Sequence, residues 1–122
     1  MKALGSLEEQ IMSILWKGEA LAVRSVMAKL TKKLAYTTVM TTLDRLHKKG
    51  LLTREREGIA FVYRAGLSRD EFHRKLVEET VGSLLEESTA SVLAAFVDTA
   101  AEIDEDNLKK LEALIAERRN RK

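Results

Sequence analysis

Ala35-Tyr-Thr-Thr-Val-Met-Thr-Thr-Leu-Asp-Arg-Leu-His-Lys-Lys-Gly50 is the stretch that decides the fold. Val39, Leu43 and Leu46 fall three and four residues apart, so they form one apolar stripe of a helix. Thr37, Thr38, Thr41, Thr42, Arg45, Lys48 and Lys49 take most of the remaining surface. Thr is a mediocre helix former, so a concentration of it on a solvated face needs a reason. A helix lying in a DNA major groove supplies one. Thr methyls meet thymine methyls, hydroxyls bond bases or phosphates, and Arg bonds guanine through two donors. A surface helix whose basic last turn complements its dipole fits the same residues. The segment that follows separates the two readings.

That segment is Leu51-Leu-Thr-Arg-Glu-Arg-Glu-Gly-Ile-Ala-Phe-Val-Tyr-Arg64. Leu52, Arg54 and Arg56 alternate before Glu57-Gly58, and Ile59, Phe61 and Tyr63 alternate after it. This is the pattern of a hairpin with one apolar row and a glycine turn. Arg54, Arg56 and Arg64 are candidate DNA contacts, with cross-strand pairing to Glu55 and Glu57 as the structural alternative. Upstream, Ser6 and Glu9 have capping-box spacing. Leu7, Ile11, Ile14 and Leu15 then form a stripe that Gly18 closes. A second helix is expected from about Ala22 to Lys32, with Val23, Val26, Met27 and Leu30 inward. Lys33-Leu34-Ala35 joins it to the Thr-rich helix, as a helix-turn-helix requires. Three helices and a basic hairpin predict a winged helix-turn-helix.

The charge is unevenly distributed. Residues 1–66 hold 12 Lys+Arg against 6 Asp+Glu, a net +6; residues 67–122 hold 9 against 13, a net −4. A polyanion-binding module joined to a different module follows from that imbalance. The expected fold is therefore mainly α with a small β-hairpin wing. Residues 1–66 form the DNA-binding domain and residues 67–122 a helical dimerisation domain, with Ala65-Gly66 as a hinge. In the second part Ser68 and Glu71 make another capping box. Phe72, Leu76, Leu84, Leu93, Phe96, Val97, Leu108, Leu111, Leu114 and Ile115 lie on apolar stripes. Helices with one apolar face and about fifty residues in all bury too little surface alone. Pairing with a second copy solves this, and a symmetric dimer also suits a palindromic DNA site.

Other function classes find little support. With no Cys there is no disulfide, thiolate metal site or cysteine nucleophile. His47 and His73 stand apart, and there is no Gly-rich phosphate loop. An enzyme, a metal site and a cofactor are not expected. No apolar run approaches the roughly 18 residues of a membrane span, and the beginning of the chain lacks a signal-peptide core. The expected location is cytoplasmic, without membrane insertion. Two rivals from other classes stand beside this reading: a winged-helix protein-interaction module that binds no specific DNA, and a hydrolytic or metal-dependent enzyme, whose cleft of clustered titratable groups two separated histidines do not supply.

Leu7-Glu-Glu-Gln-Ile-Met, Trp16, Val23-Arg-Ser-Val26, the 35–46 stretch, Lys48-Lys-Gly-Leu-Leu and Phe61-Val-Tyr together resemble the penicillinase-repressor family, which includes BlaI, MecI and the copper-responsive CopY branch. The resemblance spans nearly the whole chain and is most specific over residues 35–64. It implies a homodimeric winged-helix repressor on palindromic operators with TACA/TGTA-like half-sites. It places Tyr36, Thr37, Thr38, Thr41, Thr42 and Arg45 in the recognition helix, and Arg54, Arg56 and Arg64 in the wing. It also implies release by cleavage before a Phe in the dimerisation region, triggered by a membrane-bound sensor metalloprotease. Ala95-Phe96 within Ser91-Val-Leu-Ala-Ala-Phe-Val-Asp98 is the matching bond. The chain departs from the pattern at Ala95, where those repressors carry Asn, and Phe96 also fits the core of a dimer seam. The cysteine cluster that marks the copper branch is absent.

Overall fold

The computed structural model describes residues 4–121. In chain order these form α1 (Ser6–Leu15), β1 (Leu21–Ala22), α2 (Val23–Lys29), α3 (Tyr36–Lys48), β2 (Leu52–Glu57), β3 (Ala60–Ala65), α4 (Arg69–Glu87), α5 (Thr89–Ile103) and α6 (Asp106–Asn120). The strands make an antiparallel sheet in the order β1-β3-β2. The chain divides into two compact units, one running to Val77 and the other beginning at Glu78.

In the first unit the stripes read from the sequence meet in one core. Ile11 and Leu15 of α1, Val23 and Val26 of α2, and Val39, Leu43 and Leu46 of α3 are buried together with Leu51, Leu52 and Tyr63. Met12 joins them at full burial, so α1 turns a broader apolar face inward than its stripe suggested. The α3 terminus has a defined stop. Gly50 has φ +82°, its N–H donates to the His47 carbonyl (3.0 Å), and the Leu51 N–H donates to the Leu46 carbonyl (3.1 Å). This is a Schellman turn, and it drives Leu51 into the core beside Leu46.

Several boundaries differ from the sequence expectation, each for a local reason. The N-cap of α1 is Gly5 rather than Ser6, because Glu8 bonds back to the Gly5 N–H (3.1 Å) and sets the helix start one residue earlier. Leu21 and Ala22 pair with Tyr63 and Val62 as a short third strand, so α2 begins only at Val23. It ends at Lys29, because Leu30 takes an extended backbone and packs on the core. The hairpin turn is Gly58-Ile59, with Glu57 paired to Ala60. Gly58 has φ +66° and Ile59 does not take a positive φ, as in a two-residue hairpin turn with Gly first. Ile59 therefore stands at the tip, 99% exposed, and leaves the apolar row to Phe61 and Tyr63.

The largest correction concerns the junction between the halves. Ala65-Gly66 is a packed turn, not a hinge. The Gly66 N–H donates to the Leu51 carbonyl (2.9 Å), and a Cβ at Gly66 would lie 3.3 Å from that oxygen. Ser68 caps α4 as expected: its N–H donates to Glu71 Oε1 (2.8 Å) and its Oγ accepts the Glu71 N–H (3.0 Å). The first turns of α4 then complete the first core. Phe72 is buried, 5.6 Å from the Trp16 ring, and Leu76 packs on the same cluster. Trp16 Nε1 donates to the Leu67 carbonyl (3.0 Å). The first unit thus extends past residue 66 to Val77; Phe72 is buried in its core and has no surface left for a second copy, while Leu76 packs partly on the same core. Sequence periodicity could not show which core those two side chains join.

The second unit holds the rest of α4 with α5 and α6. α5 is a full helix of 15 residues, and α4 runs straight through Gly82. α5 packs on α6, and Asn107 Nδ2 donates to the Ala100 carbonyl (2.9 Å). Asp104 Oδ1 accepts the Asp106 N–H (3.0 Å) at the start of α6. Within the single chain α5 and α6 bury no side chain fully.

Candidate nucleic-acid interface

α3 turns one side to the core and the other to solvent. Tyr36, Thr37, Thr38, Thr41, Arg45, Lys48 and Lys49 are exposed on the outer side. Thr42 is not: it is buried, and its Oγ1 donates to the Thr38 carbonyl (2.8 Å). It sits three residues from Val39 and four from Leu46, on the inward stripe, so it cannot reach a ligand on the outer face. The hydroxyl satisfies itself on its own helix, and the methyl packs in the core.

The cations have different duties. Lys49 Nζ lies 2.8 Å from Glu8 Oε2 and ties the end of α3 to the first turn of α1. That hydrogen bond holds the Glu8 carboxyl below its ordinary value, outweighing the opposing effect of burial. Lys48 Nζ lies 3.1 Å from Asp44 Oδ2 but is three-quarters exposed, so solvent shares the pair. Arg54, expected on the wing surface, turns back toward α3 instead. Its Nη1 donates to Asp44 Oδ1 (3.0 Å), and its guanidinium carbon lies 4.3 Å from the centre of the Phe61 ring. Arg56 stacks on Phe61 from 5.1 Å, and Arg64 stands exposed opposite Thr53. The ion pairing of Arg54 is therefore with helix α3, where the sequence had suggested Glu55 and Glu57. The Asp44 carboxyl is held below its ordinary range, first by its bond from Lys48 and then by that from Arg54.

A groove of about 480 Å³ runs between the outer side of α3 and the wing, with Arg24, Tyr36, Met40 and Phe61 among its walls. Two of these escaped the sequence reading. Arg24 stacks on Tyr36 at 5.3 Å. It occupies the first turn of α2, where a cation opposes the helix dipole, and that misplacement was the available signal. Met40 is 40% exposed, and as an apolar residue outside the Val39-Leu43-Leu46 stripe it was legible as an anomaly. No group of three or more His, Cys, Asp or Glu side chains that could hold a metal is found among the described residues.

A three-helix core, a helix-turn-helix and a hairpin wing on a three-stranded sheet define a winged-helix protein. The penicillinase repressor family model matches residues 4–117. The transcriptional regulator BlaI of Mycobacterium tuberculosis is 36% identical over 117 residues, which cover 93% of this chain and 83% of that protein. The penicillinase repressor of Bacillus licheniformis is 27% identical over 124 residues, covering 98% and 94%. The solution structure of the DNA binding domain of the repressor BlaI superposes with a TM-score of 0.50 at 30% identity, over 58% of this chain and 93% of that one. The chain belongs to the penicillinase repressor family.

Proposed function

We propose that this protein is a DNA-binding transcriptional repressor that acts in the cytoplasm as a homodimer on palindromic operators. One observation carries the reading: Thr37, Thr38, Thr41 and Arg45 stand exposed on the side of α3 opposite the core, flanked by a basic wing. That set offers hydroxyls, methyls and a forked cation, the groups that read base edges. Tyr36, Lys48, Arg56 and Arg64 surround it as candidates for backbone contact. The family relatives named as a transcriptional regulator and a repressor support the same reading.

Dimerisation is proposed for the second unit, residues 78–122. Leu84, Leu93, Phe96, Val97, Leu114 and Ile115 are each roughly half exposed there, so the apolar stripes lack a cover within one chain. Leu108 and Leu111 are partly covered on α6. A second copy is the cover that also supplies the second half-site reader. Release is proposed to follow cleavage at Ala95-Phe96 by a membrane-bound sensor metalloprotease, in keeping with the family resemblance.

The test is selection of bound duplexes from a random pool, followed by titration at several salt concentrations and sedimentation of the free protein. An inverted repeat, a steep fall of affinity with salt and a dimeric mass are expected. A protein that enriches no sequence and shows no salt dependence would be a protein-interaction module instead.

A further inference from the structure

The Asp44–Arg54 pair joins the two elements that a winged helix needs to hold in register. Asp44 is the sole acidic residue of α3, on the helix proposed to face a polyanion. It lies in the C-terminal half of that helix, where a carboxylate gains nothing from the dipole. Both of its oxygens are engaged, Oδ1 by Arg54 and Oδ2 by Lys48. Arg54 in turn is fixed by its strand. It lies opposite Tyr63 in the β2–β3 register, its Nη1 reaches the Tyr63 hydroxyl at 3.5 Å, and Phe61 lies under its guanidinium. Only a quarter of the Arg54 side chain is exposed, against a largely exposed wing. A planar fork held by a carboxylate and an aromatic face is pre-organised in a way a free surface arginine is not.

We propose that Asp44 and Arg54 are positioning residues: a clamp between recognition helix and wing that fixes the wing angle, so that helix and wing engage the DNA together. The proposal rests on the DNA-binding reading. Arg54 is then not a phosphate contact, and Asp44 is not a base reader. Arg56 and Arg64 are the wing cations left to meet the backbone. The clamp also neutralises the acid that it introduces, since two cations flank one carboxylate.

The experiment is a double-mutant cycle on the full chain, with an operator selected from random DNA. Asp44→Asn, which keeps the shape, Arg54→Ala and the double variant are compared for affinity and hydroxyl-radical footprint, and each is checked for folding by thermal melting. The clamp predicts that each single change weakens binding about two- to tenfold, and that the double variant is no worse than the weaker single one. It also predicts loss of protection beneath the wing while protection beneath α3 persists. Two outcomes overturn it. If Arg54→Ala costs as much in the Asp44→Asn background as alone, Arg54 touches DNA directly. If Asp44→Asn strengthens binding with an unchanged footprint, Asp44 is merely a repelling charge. A wild-type chain that protects no duplex overturns the DNA-binding reading and the clamp with it, and is thereby distinguished from both.

Discussion

Replacing Phe72 by Ala should destabilise the first unit severely and leave the proposed pairing through the second unit unchanged. Phe72 is 5% exposed, so nearly its whole ring is removed from water on folding. Phe-to-Ala changes at such sites cost about 3–5 kcal/mol, the spread reflecting how far the cavity relaxes. Loss of the tilted contact with Trp16, whose ring centre is 5.6 Å away, places the cost toward the upper end. A unit ending at Val77 is expected to have a total stability of only about 4–12 kcal/mol. The change therefore removes a third or more of it. Trp16 is the single tryptophan of the chain and touches Phe72, so its fluorescence during urea titration reports this unit directly. The urea midpoint should fall sharply, while sedimentation in water still gives the mass of the unaltered protein. If the midpoint moved by less than about 1 kcal/mol equivalent and the dimer dissociated instead, Phe72 would belong to the seam between copies.

Arg45→Ala should lower affinity for the selected operator by about 1–3 kcal/mol while leaving random duplexes nearly unaffected, as paired gel-shift titrations would measure. Thr42→Val should leave the operator footprint unchanged, because the hydroxyl it removes bonds only the Thr38 carbonyl. Its effect should appear, if at all, in the melting temperature. Glu8→Gln should flatten the acid limb of stability. The Glu8 carboxyl is held below its ordinary value of 4.5 by Lys49. It thus contributes stability above that value, and the contribution is lost as pH falls through the lowered folded-state value. Urea midpoints between pH 6 and pH 3 would show a smaller drop for the variant. Leu93→Asp with Phe96→Asp should yield a monomer by sedimentation and weaken operator binding far more than random binding, since the two half-sites lose their linkage.

The helix periodicities were legible because burial of one face is dictated by spacing alone. Val39, Leu43 and Leu46 could face only the core once α3 formed, and they do. Thr42 was misassigned for the converse reason. It lies on the edge of the inward stripe, and residue type argued for the surface while position argued for the core. Arg54 shows a different limit. Its partner, Asp44, is ten residues away on another element, and no local pattern couples a strand arginine to a helix aspartate. Lys49 and Glu8 are 41 residues apart and illustrate the same point. β1 was hidden because two residues are too short for alternation to register. The junction at Gly66 was misjudged because Ala-Gly reads equally as a flexible or a close-packed pair. The decision lies in whether a neighbouring backbone fills the space of the missing Cβ, as Leu51 does here.

The place of the Ala95-Phe96 bond constrains how release by proteolysis would work. The bond lies inside α5, which runs from Thr89 to Ile103, so its carbonyls and amides are held in the helical ladder. Cleavage of a bond in regular structure proceeds through the locally opened form, at a rate set by how often that form is populated. α5 is suited to opening in the free chain. It buries no side chain fully and has no side-chain cap at Ser88. Cover by a second copy would remove that freedom, so dimer dissociation and cutting would be coupled, each favouring the other. The cut would not unfold the reader. Phe72, Leu76 and the Trp16 contact all lie on the amino-terminal side of the bond, within the first unit. What cleavage would remove is α6 with Leu108, Leu111, Leu114 and Ile115, together with the half of α5 that carries Phe96. A folded DNA-binding unit would remain, deprived of the pairing that lets it hold two half-sites. Repression would end through loss of linkage rather than loss of fold.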